Sequence, residues 1–281
     1  MTNSSKRPWG PACAVGVVTA LFIFAGTVSF AQDQEMPTGE ELVKMVNERD
    51  DGVSLTRVMT IEMTDKRGKT RKQVTKTFRK YYGEEKRSAI FYVKPANIKD
   101  TAFLTYDYPA GAQEDDQWLY IPELRRVRRI SASNRGDYYL GTDFTYEDMK
   151  LDTRMSQEDY TWTTTGKTEI DGHTCYVVEG IPVDKKTSEE LGYSKYVGYI
   201  DSEILIQRRI ETWDVNGNKL KTISVEELSE IQGIWSGIRM RAQNHKSGHS
   251  TLFTFSEIDY ETDIDDEMFT ERALKRGVRL K

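Results

Sequence analysis

Apolar residues recur with two different spacings along this chain, and the change between them comes at Val53. Leu42, Met45 and Val46 follow at i, i+3 and i+4 behind Pro37-Thr-Gly-Glu-Glu41, whose Thr-x-x-Glu spacing is a capping box. That pattern predicts one amphipathic helix ending before Gly52. From Val53 the period is two: Val53, Leu55, Met59, Ile61 and Met63 share one face, with Ser54, Thr56, Thr60 and Glu62 on the other. Arg57 interrupts the apolar row, and a guanidinium there must find partners or sit at a rim reached by water. Polar, glycine-containing turns at 65–70 and 83–86 flank a mixed strand over 71–82, and short apolar strands follow over 89–93, 102–106 and 118–121. Five successive strands with short polar connections predict an antiparallel meander.

The densest stretch runs from Gln117 to Met149. Trp118-Leu-Tyr-Ile121 reads as a buried strand ended by Pro122, which has no N–H to donate. Beyond it Leu124, Val127 and Ile130 recur at every third position, so Arg125, Arg126, Arg128 and Arg129 share the remaining face. Such a run either meets anions or is a solvated charged edge. In Gly141-Thr-Asp-Phe-Thr-Tyr-Glu-Asp148 the threonines and Asp143 are candidate caps, with Glu147 and Asp148 favouring the positive end of a short helix. Residues 131–156 lack strand alternation, and a long irregular insertion of this kind commonly serves as a lid or binding loop. Strands resume over 160–168, 175–181, 193–201, 204–213, 219–227, 237–244 and 251–258. Thr187-Ser-Glu-Glu190 predicts a helical turn, Asn216-Gly217 a tight hairpin, and residues 265–274 a terminal helix docking through Met268, Phe269, Ala273 and Leu274. About ten or eleven strands and a few short helices make the fold class mainly β: a strongly curved antiparallel sheet forming an incomplete, unclosed barrel.

Composition narrows the compartment. Lys6 and Arg7 precede an apolar run from Ala12 to Phe30, and Ser29-Phe-Ala31 has small residues where a signal peptidase requires them. The expected organisation is a signal peptide over 1–31 and a single domain over 32–281, a periplasmic protein soluble once cleaved near Ala31. Removal of the signal leaves 38 basic residues against 45 acidic ones, a balance that argues against nucleic acid as partner. Cys13 leaves with the signal, so Cys175 has no intramolecular partner and reads as a small buried apolar residue.

The motifs of common enzymes are missing: no nucleophile elbow, Walker loop, dinucleotide fingerprint or zinc-binding cysteine pair occurs. His245-Lys-Ser-Gly-His249 fits a hairpin connection better than a metal site, and His173 sits in an Asp-Gly-His turn. Neither an enzyme nor a cofactor or metal is expected. Leu55, Met59, Ile61, Phe91, Trp118 and Tyr120 remain, and they suit either a packed core or the wall of a cavity for a hydrophobic ligand.

The Trp-Leu-Tyr-x-Pro strand, the basic run and the Gly-x-Asp-Phe-x-Tyr-Glu-Asp segment together resemble the outer-membrane lipoprotein-sorting family related to the periplasmic carrier LolA. The resemblance extends over the whole mature chain. It implies an unclosed barrel with helices as a lid, and a cavity that takes lipid or lipoprotein acyl chains. Partners would be a lipid or acylated lipoprotein, an inner-membrane exporter of the RND class and an outer-membrane acceptor. In that setting Leu55, Arg57, Met59, Ile61, Phe91, Trp118 and Tyr120 would line the cavity, with Phe144 and Tyr146 in its lid. Arg125, Arg126, Arg128 and Arg129 would dock on a membrane or partner. A periplasmic sensor or adaptor that binds a protein instead of carrying lipid is the alternative.

Overall fold

The computed structural model describes residues 36–278, and the expected signal peptide lies outside the described residues. Thr38 caps α1 (Gly39–Glu48), accepting from the Glu41 amide while the Glu41 carboxylate accepts from the Thr38 amide. The helix buries Leu42, Val43 and Val46, whereas Met45 faces outward. Its stripe is therefore rotated by one position from that expected, because α1 lies on Trp162 and Val178. Gly39 makes this approach close: a Cβ there would meet the Trp162 backbone at 2.3 Å.

Thirteen antiparallel strands form one sheet in the order β6-β5-β4-β3-β2-β1-β13-β12-β11-β10-β9-β8-β7. The first five are β1 (Ser54–Thr64), β2 (Thr70–Tyr82), β3 (Glu85–Lys94), β4 (Ala102–Asp107) and β5 (Asp116–Ile121), the expected meander. β6 (Arg126–Arg129) ends that side of the sheet. The other half comprises β7 (Tyr160–Ile170), β8 (His173–Pro182), β9 (Lys195–Asp201), β10 (Gln207–Trp213), β11 (Lys219–Ile231), β12 (Ile234–Asn244) and β13 (Ser250–Asp259). Pairing of β1 with β13 joins the halves, while edge strands β6 and β7 do not pair with each other, so the barrel stays open.

The inner face carries the row Leu55, Met59, Ile61 and Met63, all buried. Val53 precedes β1 and is 72% exposed, so it leaves the row to which its spacing assigned it. Helices α2 (Tyr146–Leu151) and α3 (Lys185–Leu191) also lie on this side, α2 with its Thr145–Asp148 capping box. The cap of α3 is Asp184, upstream of the expected Thr187. The outer face is covered where the chain ends. A 3-10 turn over Asp266–Phe269 and α4 (Glu271–Arg276) replace the single terminal helix expected, and they bury Phe269, Ala273 and Leu274 against Ala89, Phe91, Ala102 and Leu104.

The basic run differs from its period-three reading. Pro122–Leu124 form a 3-10 turn, Arg125 takes a left-handed conformation, and β6 then alternates. Arg126 and Arg128 pair with Ile121 and Leu119, whereas Val127 and Arg129 pair with Tyr120 and Trp118. The arginines thus divide between both faces of an edge strand, and Leu124 is 64% exposed. Charged side chains on an edge strand also protect it from pairing with a second sheet. Cys175 is buried and free.

Candidate binding cavity and the segment that roofs it

β1 and β2 set the floor. Their register places Leu55 opposite Arg79, Arg57 opposite Thr77 and Met59 opposite Thr75. The row continues through Ile90 to Phe103 and Leu119. Over this floor run residues 138–155. Phe144 stacks on Phe253 with centroids 4.1 Å apart, and Tyr139 and Tyr146 pack on Phe103 at 5.1 and 5.5 Å. Between roof and floor lie two small cavities of about 60 and 80 Å³ that share Arg57, Asp152, Ile210, Ile223, Met240 and Phe255.

Charged groups fasten the roof. Arg57 Nη2 donates to Asp152 Oδ1 at 3.0 Å while its guanidinium lies 4.2 Å from the centre of the Phe255 ring. Lys86 Nζ donates to the Leu151 carbonyl at 2.9 Å and pairs with Asp107 at 3.0 Å. Lys221 Nζ donates to the Asp143 carbonyl at 3.1 Å and to Asp148 at 2.5 Å, and the Asp143 carboxylate accepts from Thr251 Oγ1 at 2.7 Å with His249 Nδ1 at the same distance. Thr153 and Arg79 both meet Asp51. Burial would raise the Asp152 carboxyl, but Arg57, Arg79 and Lys86 outweigh it and hold the group below its ordinary value. For Lys86 complete burial outweighs Asp107, and the ammonium sits below its ordinary value.

Of the residues expected to line a cavity, Leu55, Arg57 and Met59 border these spaces. Ile61 is buried in the same row without lining either one. Phe91, Trp118 and Tyr120 do not face it. Lys76, Phe91, Ala102 and Tyr120 form one cross-strand row, and Phe78, Ala89, Leu104 and Trp118 another, both on the outer face beneath the chain's end. One residue of register decides this, because adjacent side chains on a strand point to opposite faces. In the roof, Phe144 borders the larger of the two apolar cavities and Tyr146 packs into the core beside it. Asp152, Arg79, Lys86 and Lys221 complete the arrangement and were not anticipated. For Arg79 and Lys86 a signal existed, since period two puts them in line with Thr75–Thr77 and Ser88–Ile90 respectively.

His245 and His249 bond Thr222 and Asp143, and no group of three or more His, Cys, Asp or Glu side chains suited to a metal occurs among the described residues. No helix among the described residues is long and apolar enough to cross a membrane.

A DUF1329 family protein from Desulfovibrio piger superposes with a TM-score of 0.77 at 27% identity, over 84% of this chain and 97% of that one. A putative outer membrane lipoprotein-sorting protein domain from Vibrio parahaemolyticus gives 0.76 at 27% identity, over 85% and 98%. A LolA superfamily protein from Nitrosomonas europaea shares the fold at 0.64 and 20% identity, over 85% and 100%. A family model described as uncharacterized protein-like matches residues 84–276, more than half of the chain, and the chain belongs to that family. No curated protein matches the sequence.

Proposed function

We propose that the mature chain is a periplasmic carrier that takes lipid or lipoprotein acyl chains into the space under residues 138–155 and passes them towards the outer membrane. The observation that carries this reading is the apolar floor closed by a roof held through Arg57–Asp152, Lys86–Leu151 and Lys221–Asp148. A drug-sized ligand occupies a pocket of roughly 300–1,000 Å³. The two cavities, at about 60 and 80 Å³, are far smaller, so the roof must lift before a chain enters.

That requirement answers a difficulty of any acyl carrier. At ~0.8 kcal/mol per buried methylene, a chain of about sixteen carbons gains on the order of 10 kcal/mol, too much for ready handover. Binding must first separate buried ion pairs, and that cost is subtracted from the gain. Cargo would pass from an inner-membrane exporter of the RND class to an acceptor in the outer membrane, with Arg125, Arg126, Arg128 and Arg129 docking on anionic headgroups or a membrane partner. The chain works by binding, without catalysis. The expected signal peptide over 1–31 and the single domain over 32–281 fit this role.

Mass spectrometry of a solvent extract, from protein purified without detergent out of its own periplasm, tests the reading. A stoichiometric lipid or acylated peptide is the expected result. Clean protein that also fails to take up a fluorescent fatty acid would overturn it and favour an adaptor that binds a protein partner.

A further inference from the structure

The two roofed cavities follow one another and differ at their far ends. Arg57, Ile210 and Phe255 border both, whereas Phe144 and Phe253 border only the larger and Arg49, Ser236 and Tyr260 only the smaller. The stacked rings of Phe144 and Phe253 make the first end apolar. The second end lies where the chain leaves α1 and β12 begins. Arg49 is the C-cap residue of α1, and its Nη1 donates to the Asp50 and Trp235 carbonyls at 3.3 and 3.5 Å. Gly52 lies against Tyr260, where a Cβ would meet the ring at 2.4 Å, and the Tyr260 hydroxyl is 2.8 Å from Ser236 Oγ.

Charges around the smaller cavity do not balance. Three arginines and two aspartates border it, with no lysine, histidine or glutamate. Arg57 holds Asp152 at 3.0 Å and Arg79 holds Asp51 at 2.7 Å, which leaves Arg49. Among the described residues Arg49 has no ion-pair partner; its two carbonyl contacts are long, and its Nε is buried without an acceptor. The surplus is local, because the chain as a whole has 45 acidic residues against 40 basic ones. Arg154 also lacks a carboxylate, but it covers the Tyr81 ring and borders a polar space lined by nine carboxylates and five cationic side chains, which disfavours an anion. At Arg49 an anion meets a half-buried guanidinium with N–H groups to spare. A hydrocarbon chain under the roof must leave any charged head where water and an opposite charge can reach it. Only the Arg49 end meets that condition.

We propose that the cargo is an anionic amphiphile whose chain runs towards Phe144 and Phe253 and whose carboxylate or phosphate sits on Arg49. The assignment rests on the carrier reading and adds a head group and a direction to it. A guanidinium can hold two oxygens of either head through parallel N–H donors. Binding there exchanges two long carbonyl contacts for charge-assisted ones and separates no ion pair, unlike the lifting of the roof.

Isothermal titration of the full chain with decanoate, decyl phosphate, decanol and decyltrimethylammonium at neutral pH tests this. Both anions should bind about tenfold or more tighter than decanol, and the ammonium more weakly than decanol. Arg49→Gln should bring the anions down to the affinity of decanol at unchanged circular dichroism, while Arg49→Lys, which keeps the charge, should retain a preference of severalfold. The tighter of the two anions then assigns the head, to a phospholipid for decyl phosphate and to a free fatty acid for decanoate. Equal binding of anions and alcohol by the parent chain, or a preference that persists in full in Arg49→Gln, would overturn the proposal and leave the carrier reading standing. Failure of all four to bind would overturn both.

Discussion

Arg57→Leu is the most informative single change, because it acts on roof and cavity together. Arg57 and Asp152 are 14% and 19% exposed at their side chains and 3.0 Å apart, an ion pair largely removed from water. Breaking such a pair by deleting one partner costs ~3–5 kcal/mol when the remaining charge is stranded. Here Arg79 and Lys86 also act on Asp152, so the loss should fall nearer 1–2 kcal/mol. That loss falls on the closed state alone, since a lifted roof exposes Asp152 to water. Binding of an acyl chain requires the open state, so its apparent affinity should rise by the same factor, about five- to thirtyfold. The leucine also adds apolar wall where a guanidinium stood. Titration with a fluorescent fatty acid measures the affinity, and stopped-flow transfer to acceptor vesicles measures the release, which should slow. Asp152→Asn should tighten binding in the same direction. If both variants remain folded while affinity and transfer are unchanged, the pair does not hold the roof, and the argument fails.

Three further outcomes follow from the same geometry. Asp152 has its carboxyl lowered by the cations around it, so its contribution to closure is fully present above the ordinary aspartate value of ~3.9 and is lost as pH falls through the lowered folded value. Uptake of a fluorescent fatty acid should therefore accelerate on acidification below about pH 4 in the parent chain and be already fast, and flatter with pH, in Asp152→Asn. Phe91→Ala, on the outer face, should cost ~3–5 kcal/mol and lower the melting temperature without changing the affinity for fatty acid, whereas Met59→Trp, on the inner face, should reduce uptake. Replacing Arg126 and Arg128 together by glutamate should weaken association with anionic vesicles at low salt by about fivefold per charge, an effect that disappears in high salt; no change would leave the run a solvated edge.

The inner row of β1 was legible because its opposite face is mostly polar, the capping box at Thr38 marked the start of α1, and Thr145 was one of three candidate caps before α2. β3 to β5 gave no such contrast. Ile90, Tyr92 and Phe103 face inward while Ala89, Phe91 and Leu104 face outward, and all six are buried because the chain's end covers the outer side. With both faces apolar, alternation carries no sign, and Phe91, Trp118 and Tyr120 were assigned to the cavity by size and aromaticity alone. The partner of Arg57 was beyond reach for a different reason. Asp152 lies 95 residues away in an irregular segment, and only the fold brings the two together. Lys86, Lys221 and Arg79 are buried as well, and nothing in the sequence registers that a roof closes over them, even where period two places Arg79 and Lys86 on the inner face.

Why a roof should be held by charges becomes clear from what happens when it lifts. Buried ion pairs are seldom better for stability than apolar side chains of equal volume, so Lys86, Lys221 and Arg79 are poor choices for a permanent core. A roof fastened only by apolar contacts such as Phe144 on Phe253 would expose hydrocarbon on opening, at ~25 cal/mol for each Å². Ammonium and carboxylate groups that separate regain their hydration instead, and this offsets much of the lost attraction. Phe144 and Tyr139 then fix where the roof sits, while the Arg57, Lys86 and Lys221 contacts keep the closed and open states close in energy. Replacing Lys221 and Asp148 together by methionine and leucine should separate these roles. The expected variant melts at a temperature equal to or above that of the parent yet takes up fatty acid more slowly, because its roof no longer gains hydration on lifting. Equal uptake rates in the two proteins would mean that the charges do not ease opening, and that Lys221 and Asp148 serve only to position the segment.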